Sequence, residues 1–176
     1  MDQEGAITLR SAATGVGNVV ILASRLSDAA ERGDILLSQR LNAAVGAGAK
    51  VINMSLGGSQ PSGQLMNALQ NAVNHGVIIV ISAGNDGEEP EGVNPDPFAL
   101  VPAQFLSGNN VIIAGALNGT ATDIAPFSNR AGTGADWYLM ALGTLVNTID
   151  QNGRASQWSG TSFSAAPSPS RRSCAR

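Results

Sequence analysis

The residues best suited to catalysis lie near the end of this 176-residue sequence, in the stretch Trp158-Ser159-Gly160-Thr161-Ser162-Phe163-Ser164-Ala165. Its small residues predict a tight turn where a strand gives way to a helix. A serine in such a turn can act as a nucleophile. Acyl transfer to a serine also needs a base that takes the hydroxyl proton and donors that stabilise the oxyanion. The stretch is therefore the first candidate for a catalytic site.

Two further sequence blocks, taken together with this turn, resemble the motifs of a known protein family. They are Val51–Gly58, which reads VINMSLGG, and Val77–Asn85, which reads VIIVISAGN. With Gly160–Ala165 they resemble, in order and spacing, the motifs of the subtilisin-like serine proteases (peptidase family S8), over about residues 34–165. The resemblance implies an α/β fold, a parallel sheet flanked by helices in three layers, incomplete here at both ends. It also implies hydrolysis of peptide bonds through an acyl-enzyme.

The same resemblance implies roles for individual residues. Ser162 matches the nucleophile, and its own backbone N–H would be one donor to the oxyanion. Asn85 matches the side chain that supplies a second donor. Segment 55–57 resembles the strand edge that pairs with the substrate backbone, a contact of the β-augmentation type. The substrate-binding residues implied in this way are Ser55, Leu56, Gly57, Ser82, Ala83 and Gly84.

The base of such a mechanism has no counterpart in the sequence. The one histidine, His75, stands at the predicted end of a helix and not in the His-Gly-Thr-His type of context that the family uses. Asp2 and Asp28 do not match the family's aspartate. The resemblance therefore predicts that this chain carries the nucleophile and oxyanion half of a serine endopeptidase and is inactive alone, because the imidazole provides most of the rate advantage of a catalytic triad.

The elements that must position these residues follow from hydrophobic patterning. Short apolar runs predict buried strands, and helical patterns lie between the first three of them. Strand and helix in alternation predict right-handed βαβ units and a parallel sheet, whose functional loops lie at the carboxyl ends of the strands. Loops 55–58 and 82–87 both fall there. The predicted strands are Val19–Ala23, Val51–Met54, Val77–Ile81 and Val111–Gly115.

Three finer features complete the predicted organisation. Ser62 is a predicted N-cap for the helix that precedes Val77. The stretch from Trp137 to Trp158 predicts an antiparallel ribbon. Residues 1–165 form one partial peptidase domain in this interpretation, and residues 166–176, which lack apolar periodicity, form an aberrant and disordered tail.

Composition limits the classes of partner. A net charge of −3 gives no basic surface for nucleic acid, and no run approaches the roughly 18 apolar residues of a membrane span. The acidic N-terminus does not predict a secretion signal, although relatives are commonly exported, so the compartment is not predicted. The expected partner is a peptide or protein substrate.

A bound metal is not predicted either. The loop from Asp86 to Pro97 carries five acidic residues, and relatives often bind calcium through oxygen ligands. However, neither spacing nor a matching motif defines a ligand set here. We therefore expect a solvated acidic loop and no cofactor.

Two alternatives remain at this stage. In the first alternative, the chain is a non-catalytic peptide-binding remnant, or a piece complemented by another chain that carries the aspartate and histidine. In the second alternative, it is an unrelated nucleotide-binding α/β protein. Against this, Gly15–Val20 does not complete a dinucleotide-binding motif, and Gly46–Lys50 does not complete a P-loop motif.

Overall fold

The structure, a computed structural model, describes residues 10–12, 18–22, 30–149 and 153–166. The predicted tail from residue 167 onward, Asp2 and Asp28 lie outside the described residues. Short 3₁₀ turns occupy Pro90–Val93 and Gly132–Trp137. The helices and strands, in chain order, are β1 (Arg10–Ala12), β2 (Asn18–Leu22), α1 (Ala30–Gly46), β3 (Ala49–Met54), α2 (Gly63–Asn74), β4 (Ile78–Ser82), α3 (Pro97–Phe105), β5 (Val111–Leu117), β6 (Tyr138–Leu142), β7 (Val146–Ile149), β8 (Ala155–Trp158) and α4 (Thr161–Ala165).

A six-stranded sheet in the order β1-β2-β3-β4-β5-β6 organises the fold. Strands β2 to β6 run parallel, and β1 pairs antiparallel with β2 at one edge. The predicted α/β fold, with helices flanking a parallel sheet, is therefore confirmed. In β3, β4 and β5 the apolar runs form strands in which most residues are buried, as is typical of a parallel sheet covered on both faces.

The prediction of an antiparallel ribbon from Trp137 to Trp158 is right in part. Strands β7 and β8 do form an antiparallel hairpin. Strand β6 instead pairs parallel with β5, where Ile113 lies opposite Tyr138. A half-exposed edge strand and a ribbon strand have the same apolar character, so the sequence pattern could not separate them.

The core lies between the sheet and its helices. Strand residues Ile52, Ile79, Ile81 and Ile113 are fully buried. Helix α2 adds a stripe at helical spacing, Leu65, Ala68, Leu69, Ala72 and Val73, and packs against α1 and β4. The buried strands fix the positions of the loops at their carboxyl ends. In the described part of the chain, no helix has the length and apolar character needed to cross a membrane.

The predicted N-cap of α2 is confirmed, because the backbone N–H of Leu65 donates to Ser62 Oγ at 3.3 Å. We expect Ser62→Ala to lower the free energy of unfolding by about 1 kcal/mol, since it leaves a first-turn amide without its acceptor. Urea denaturation measures the change. Ser59→Ala, at an exposed position in the preceding loop, is the matched control. Equal losses in the two variants would contradict the capping role.

Candidate functional site

A cleft of about 570 Å³ opens beside the carboxyl ends of β3 and β4 and the start of α4. Residues from three separated parts of the chain meet there, as the order of the strands predicts. Ser162 and Asn85 line the same cleft and do not lie on opposite sides of the molecule. The sequence-predicted site residues that line it are Ser55, Leu56, Gly57, Ser82, Gly84, Asn85 and Ser162.

The turn that carries Ser162 is built by a glycine and closed by hydrogen bonds. Gly160 has φ 154° and ψ 155°, a combination that is essentially restricted to glycine. Its N–H donates to the Gly143 carbonyl at 2.8 Å. Ser162 follows as the second residue of α4 and is half-buried. Its N–H belongs to the first helical turn, whose amides have no intrahelical acceptor.

Asn85 is bonded directly to this turn. Its Oδ1 accepts from the backbone N–H of Thr161 at 2.9 Å and from Thr161 Oγ1 at 3.0 Å. Two donors on one atom identify that atom as the amide oxygen, so the NH₂ group is the other end of the amide. Because Thr161 is fully buried, this contact fixes Asn85 next to Ser162.

Ser55 links the neighbouring loop to the same turn. Its Oγ donates to the Ser162 carbonyl at 3.1 Å and accepts from Asn53 Nδ2 at 3.2 Å. Asn53 is 1% exposed and was not among the predicted site residues. The available signal was a polar residue within an apolar run, near the carboxyl end of β3, since a buried amide needs hydrogen-bond partners.

Ser82 and Leu56 shape the cleft from inside the fold. Ser82 Oγ donates to the Leu56 carbonyl at 2.8 Å, and both side chains are buried. Their contact joins the loop after β3 to the end of β4. Both residues therefore line the cleft while their side chains belong to the packed interior.

Ala83 differs from the other predicted site residues, because it does not line the cleft. Its side chain is fully buried. Its N–H donates to the Ala114 carbonyl at 2.9 Å, and its carbonyl accepts from the Asp96 N–H at 2.8 Å. Both backbone groups are thus engaged within the protein, and a role of Ala83 in substrate binding stays a prediction.

His75 lies away from the cleft. It caps the C-terminus of α2, which leads into the amino end of β4, whereas the cleft adjoins the carboxyl end of that strand. The exposed imidazole has Nδ1 2.8 Å from the Asn71 carbonyl. The only histidine of the sequence therefore makes a local contact with its own helix.

Asp96 gives the cleft a partly buried carboxylate that was not among the predicted site residues. Its Oδ2 accepts from the Gly58 N–H at 3.1 Å, and its Oδ1 accepts from Asn129 Nδ2 at 3.2 Å. Burial raises the pKa of Asp96, and the negative charge of Asp86 raises it further, against the lowering effect of the two N–H donors. A charge is thus held where water only partly solvates it.

Comparison with known proteins agrees with this geometry. The sequence profile of the subtilase family matches residues 3–167. This chain belongs to the subtilase family. It is 34% identical over 125 residues to the Major intracellular serine protease of Bacillus subtilis (strain 168), and 35% identical over 159 residues to the Thermophilic serine proteinase of Bacillus sp. (strain AK1). The matched regions cover 71% and 87% of this chain but only 36% of each of those proteins.

Solved structures give this subtilase the same fold. The Patellamide maturation protease PatA is similar to it with a TM-score of 0.61 and 27% identity, over 75% of this chain and 46% of that chain. The Prenylagaramide maturation protease PagA has a TM-score of 0.60 at 24% identity, over 81% of this chain and 47% of that one. The two Bacillus relatives are thus serine proteases by name, and this chain spans about a third of the length of each.

The acidic loop of this subtilase lies beside the cleft. Among the described residues, no three His, Cys, Asp or Glu side chains are grouped so that they could hold a metal ion. Within the loop, the 3₁₀ turn Pro90–Val93 and the bond from the Asp86 N–H to Asn129 Oδ1, at 2.7 Å, fold Asp86 and Glu91 toward the cleft.

Proposed function

We propose that this chain is the nucleophile-bearing part of a serine endopeptidase, which cleaves peptide bonds through an acyl-enzyme. The observation that carries the proposal is the contact of Asn85 with Thr161, which holds an amide donor beside Ser162 in one cleft. Family membership supports the same chemistry. The substrate is a peptide or protein segment, and the proposal assigns no metal or cofactor to the chain.

Ser162 and Asn85 each act at a defined step of this mechanism. Ser162 Oγ attacks the peptide carbonyl, and its proton passes to a base. The carbonyl oxygen becomes an oxyanion, which Asn85 Nδ2 and the Ser162 N–H stabilise by donation. Collapse of this intermediate releases the amine with the proton from the base. Water then hydrolyses the ester to Ser162.

The base comes from outside this chain in our proposal. His75 lies at the other end of β4 and bonds to its own helix. A segment outside this sequence that carries the aspartate and histidine, on the same or another polypeptide, would therefore complement the cleft, and residues 1–176 alone would be inactive. The position of His75 equally favours a second candidate, a peptide-binding remnant without catalysis, in which segment 55–57 pairs with the peptide backbone.

Chemical rescue separates these two candidates. The full chain is incubated with a fluorophosphonate, alone and with added imidazole, and the adduct is located by mass spectrometry. We expect Ser162 to be labelled when imidazole supplies the base. Ser162→Ala should give no adduct at this site, and Ser59→Ala, a change of another serine in the cleft, should behave like the parent. A chain whose Ser162 stays unlabelled with imidazole present, while it still binds peptide, would contradict the peptidase proposal.

A further inference from the structure

We infer that the cleft selects a peptide with a lysine or arginine at the residue whose carbonyl Ser162 attacks, and that Asp96 determines this specificity. The inference rests on the proposed function, because it names the substrate class of the same cleft. It follows from where the Asp96 carboxylate lies, from the charges around it and from the way it is held.

The Asp96 carboxylate lies against the backbone of two loops that form the cleft. A Cβ added to Gly57 would lie 2.5 Å from Asp96 Oδ2, and one added to Gly84 would lie 2.6 Å from Asp96 Oδ1. The two glycines therefore provide the space that the carboxylate occupies. Since Gly84 directly precedes Asn85, the carboxylate lies one residue along the chain from the amide that receives the oxyanion. With Ser162 and Asn85 in the same cleft, we therefore assign the side chain nearest to this carboxylate to the residue under attack.

The charged side chains that line this part of the cleft are all acidic. Asp86, Glu91 and Asp96 line it, and no lysine or arginine is among the described residues that do so. Burial and the neighbouring Asp86 both disfavour the ionised form of Asp96. A substrate cation would relieve both effects, because an opposite charge nearby favours the ionised carboxylate.

The carboxylate is held in place and keeps capacity for a ligand. Asn129 is 1% exposed. Its Nδ2 donates to Asp96 Oδ1 and, at 3.1 Å, to the Asn94 carbonyl. Its Oδ1 accepts from the backbone N–H of Asp86. The Asp96 N–H donates to Ala83. A carboxylate offers about four acceptor sites, so the bonds from Gly58 and Asn129 leave room for the N–H groups of a guanidinium or ammonium.

Matched peptides test the inference on the full, unmodified chain. A fluorescein-labelled tetrapeptide amide ending in arginine is compared with its twin ending in citrulline, which has the same shape without the charge. We expect the arginine peptide to bind at least about tenfold more tightly by fluorescence anisotropy, as for hydrogen bonds to a charged group. Moving the arginine to the first residue should remove the advantage. Equal affinities for arginine and citrulline, no binding of the arginine peptide, or an advantage independent of position would each overturn the inference.

Two variants connect the preference to Asp96. Asp96→Asn should bring the two affinities to within about twofold, as expected for a lost charged partner. Glu88→Gln, which makes the same charge change in the same loop but outside the cleft, should keep the preference. An arginine preference that persists in folded Asp96→Asn would overturn the role of Asp96. Labelling of Ser162 is read separately, so failure of the proposed function and failure of this specificity give different results.

Acidification gives a second readout without any substitution. The advantage of arginine requires ionised Asp96, so it should be present at neutral pH and disappear as the pH falls through the pKa of Asp96. Because that pKa is raised, the loss should begin at a higher pH than for an ordinary aspartate. Asp86 and Glu91 also face the cleft. The pH dependence of the affinity that remains in Asp96→Asn measures the contribution of these two residues. An advantage that stays constant on acidification would contradict the inference.

Discussion

Asn85→Ala is expected to slow the imidazole-supported acylation of Ser162 by about 10²–10³-fold, the loss known for removal of one such donor in subtilisin, a member of the same family. The physical reason is that the substitution removes the amide that donates to the developing oxyanion. The rate of fluorophosphonate labelling measures it. The same substitution leaves the N–H and Oγ1 of Thr161, a fully buried residue, without their acceptor, so we also expect a loss of about 1–3 kcal/mol in stability.

Asn85→Asp separates these two effects. An aspartate retains an oxygen that accepts from Thr161, but it cannot donate to the oxyanion and places a negative charge beside it. We expect a stability close to that of the parent together with acylation at least as slow as in Asn85→Ala. Acylation at the parental rate in either folded variant would contradict the role of Asn85 as an oxyanion donor.

Gly92→Ala is expected to destabilise the protein by about 1–3 kcal/mol or more, as overpacking of a rigid site does. A Cβ at this position would lie 2.0 Å from the Asp86 carbonyl oxygen and 2.5 Å from Gly87 Cα. Both are backbone atoms and cannot rotate away. The Gly92 carbonyl also accepts from the Arg130 N–H at 2.7 Å, so the segment cannot shift without loss of this bond. Urea denaturation measures the effect.

Gly63→Ala is the matched control for this prediction. Gly63 is the first residue of α2, and a Cβ there would meet nothing within 4 Å. Alanine favours a helix over glycine by up to about 1 kcal/mol, so stability should be unchanged or higher. If Gly92→Ala were as stable as Gly63→Ala, the packing around the acidic loop would be looser than the structure shows.

Local sequence patterns predicted the parts of the fold that depend on local spacing. The apolar runs gave the strands from β2 to β5, and Ser62 was recognisable as a cap because the cap and its helix are neighbours in sequence. Helix α3 was not predicted. It begins at Pro97 and contains Pro102, and a proline inside a helix removes a backbone hydrogen bond and so hides the helical pattern.

The site was predictable only where a short block carries the information. Ser162 and Asn85 stand in recognisable blocks, and the structure places both in the cleft. The contact between Asp96 and Asn129 joins residues 33 positions apart, which no periodicity reveals. Ala83 is the predicted residue that does not line the cleft. It lies between two cleft residues, but Ala114 and Asp96 already bond its backbone.

The hydrogen bond from Ser55 Oγ to the Ser162 carbonyl ties the segment proposed to receive the peptide to the turn that bears the reactive hydroxyl. A displacement of either partner is transmitted to the other through a single oxygen. In the proposed function, peptide recognition and the reactivity of Ser162 therefore share this hydrogen bond. Changes that reshape one for a new substrate will therefore alter the alignment of the other.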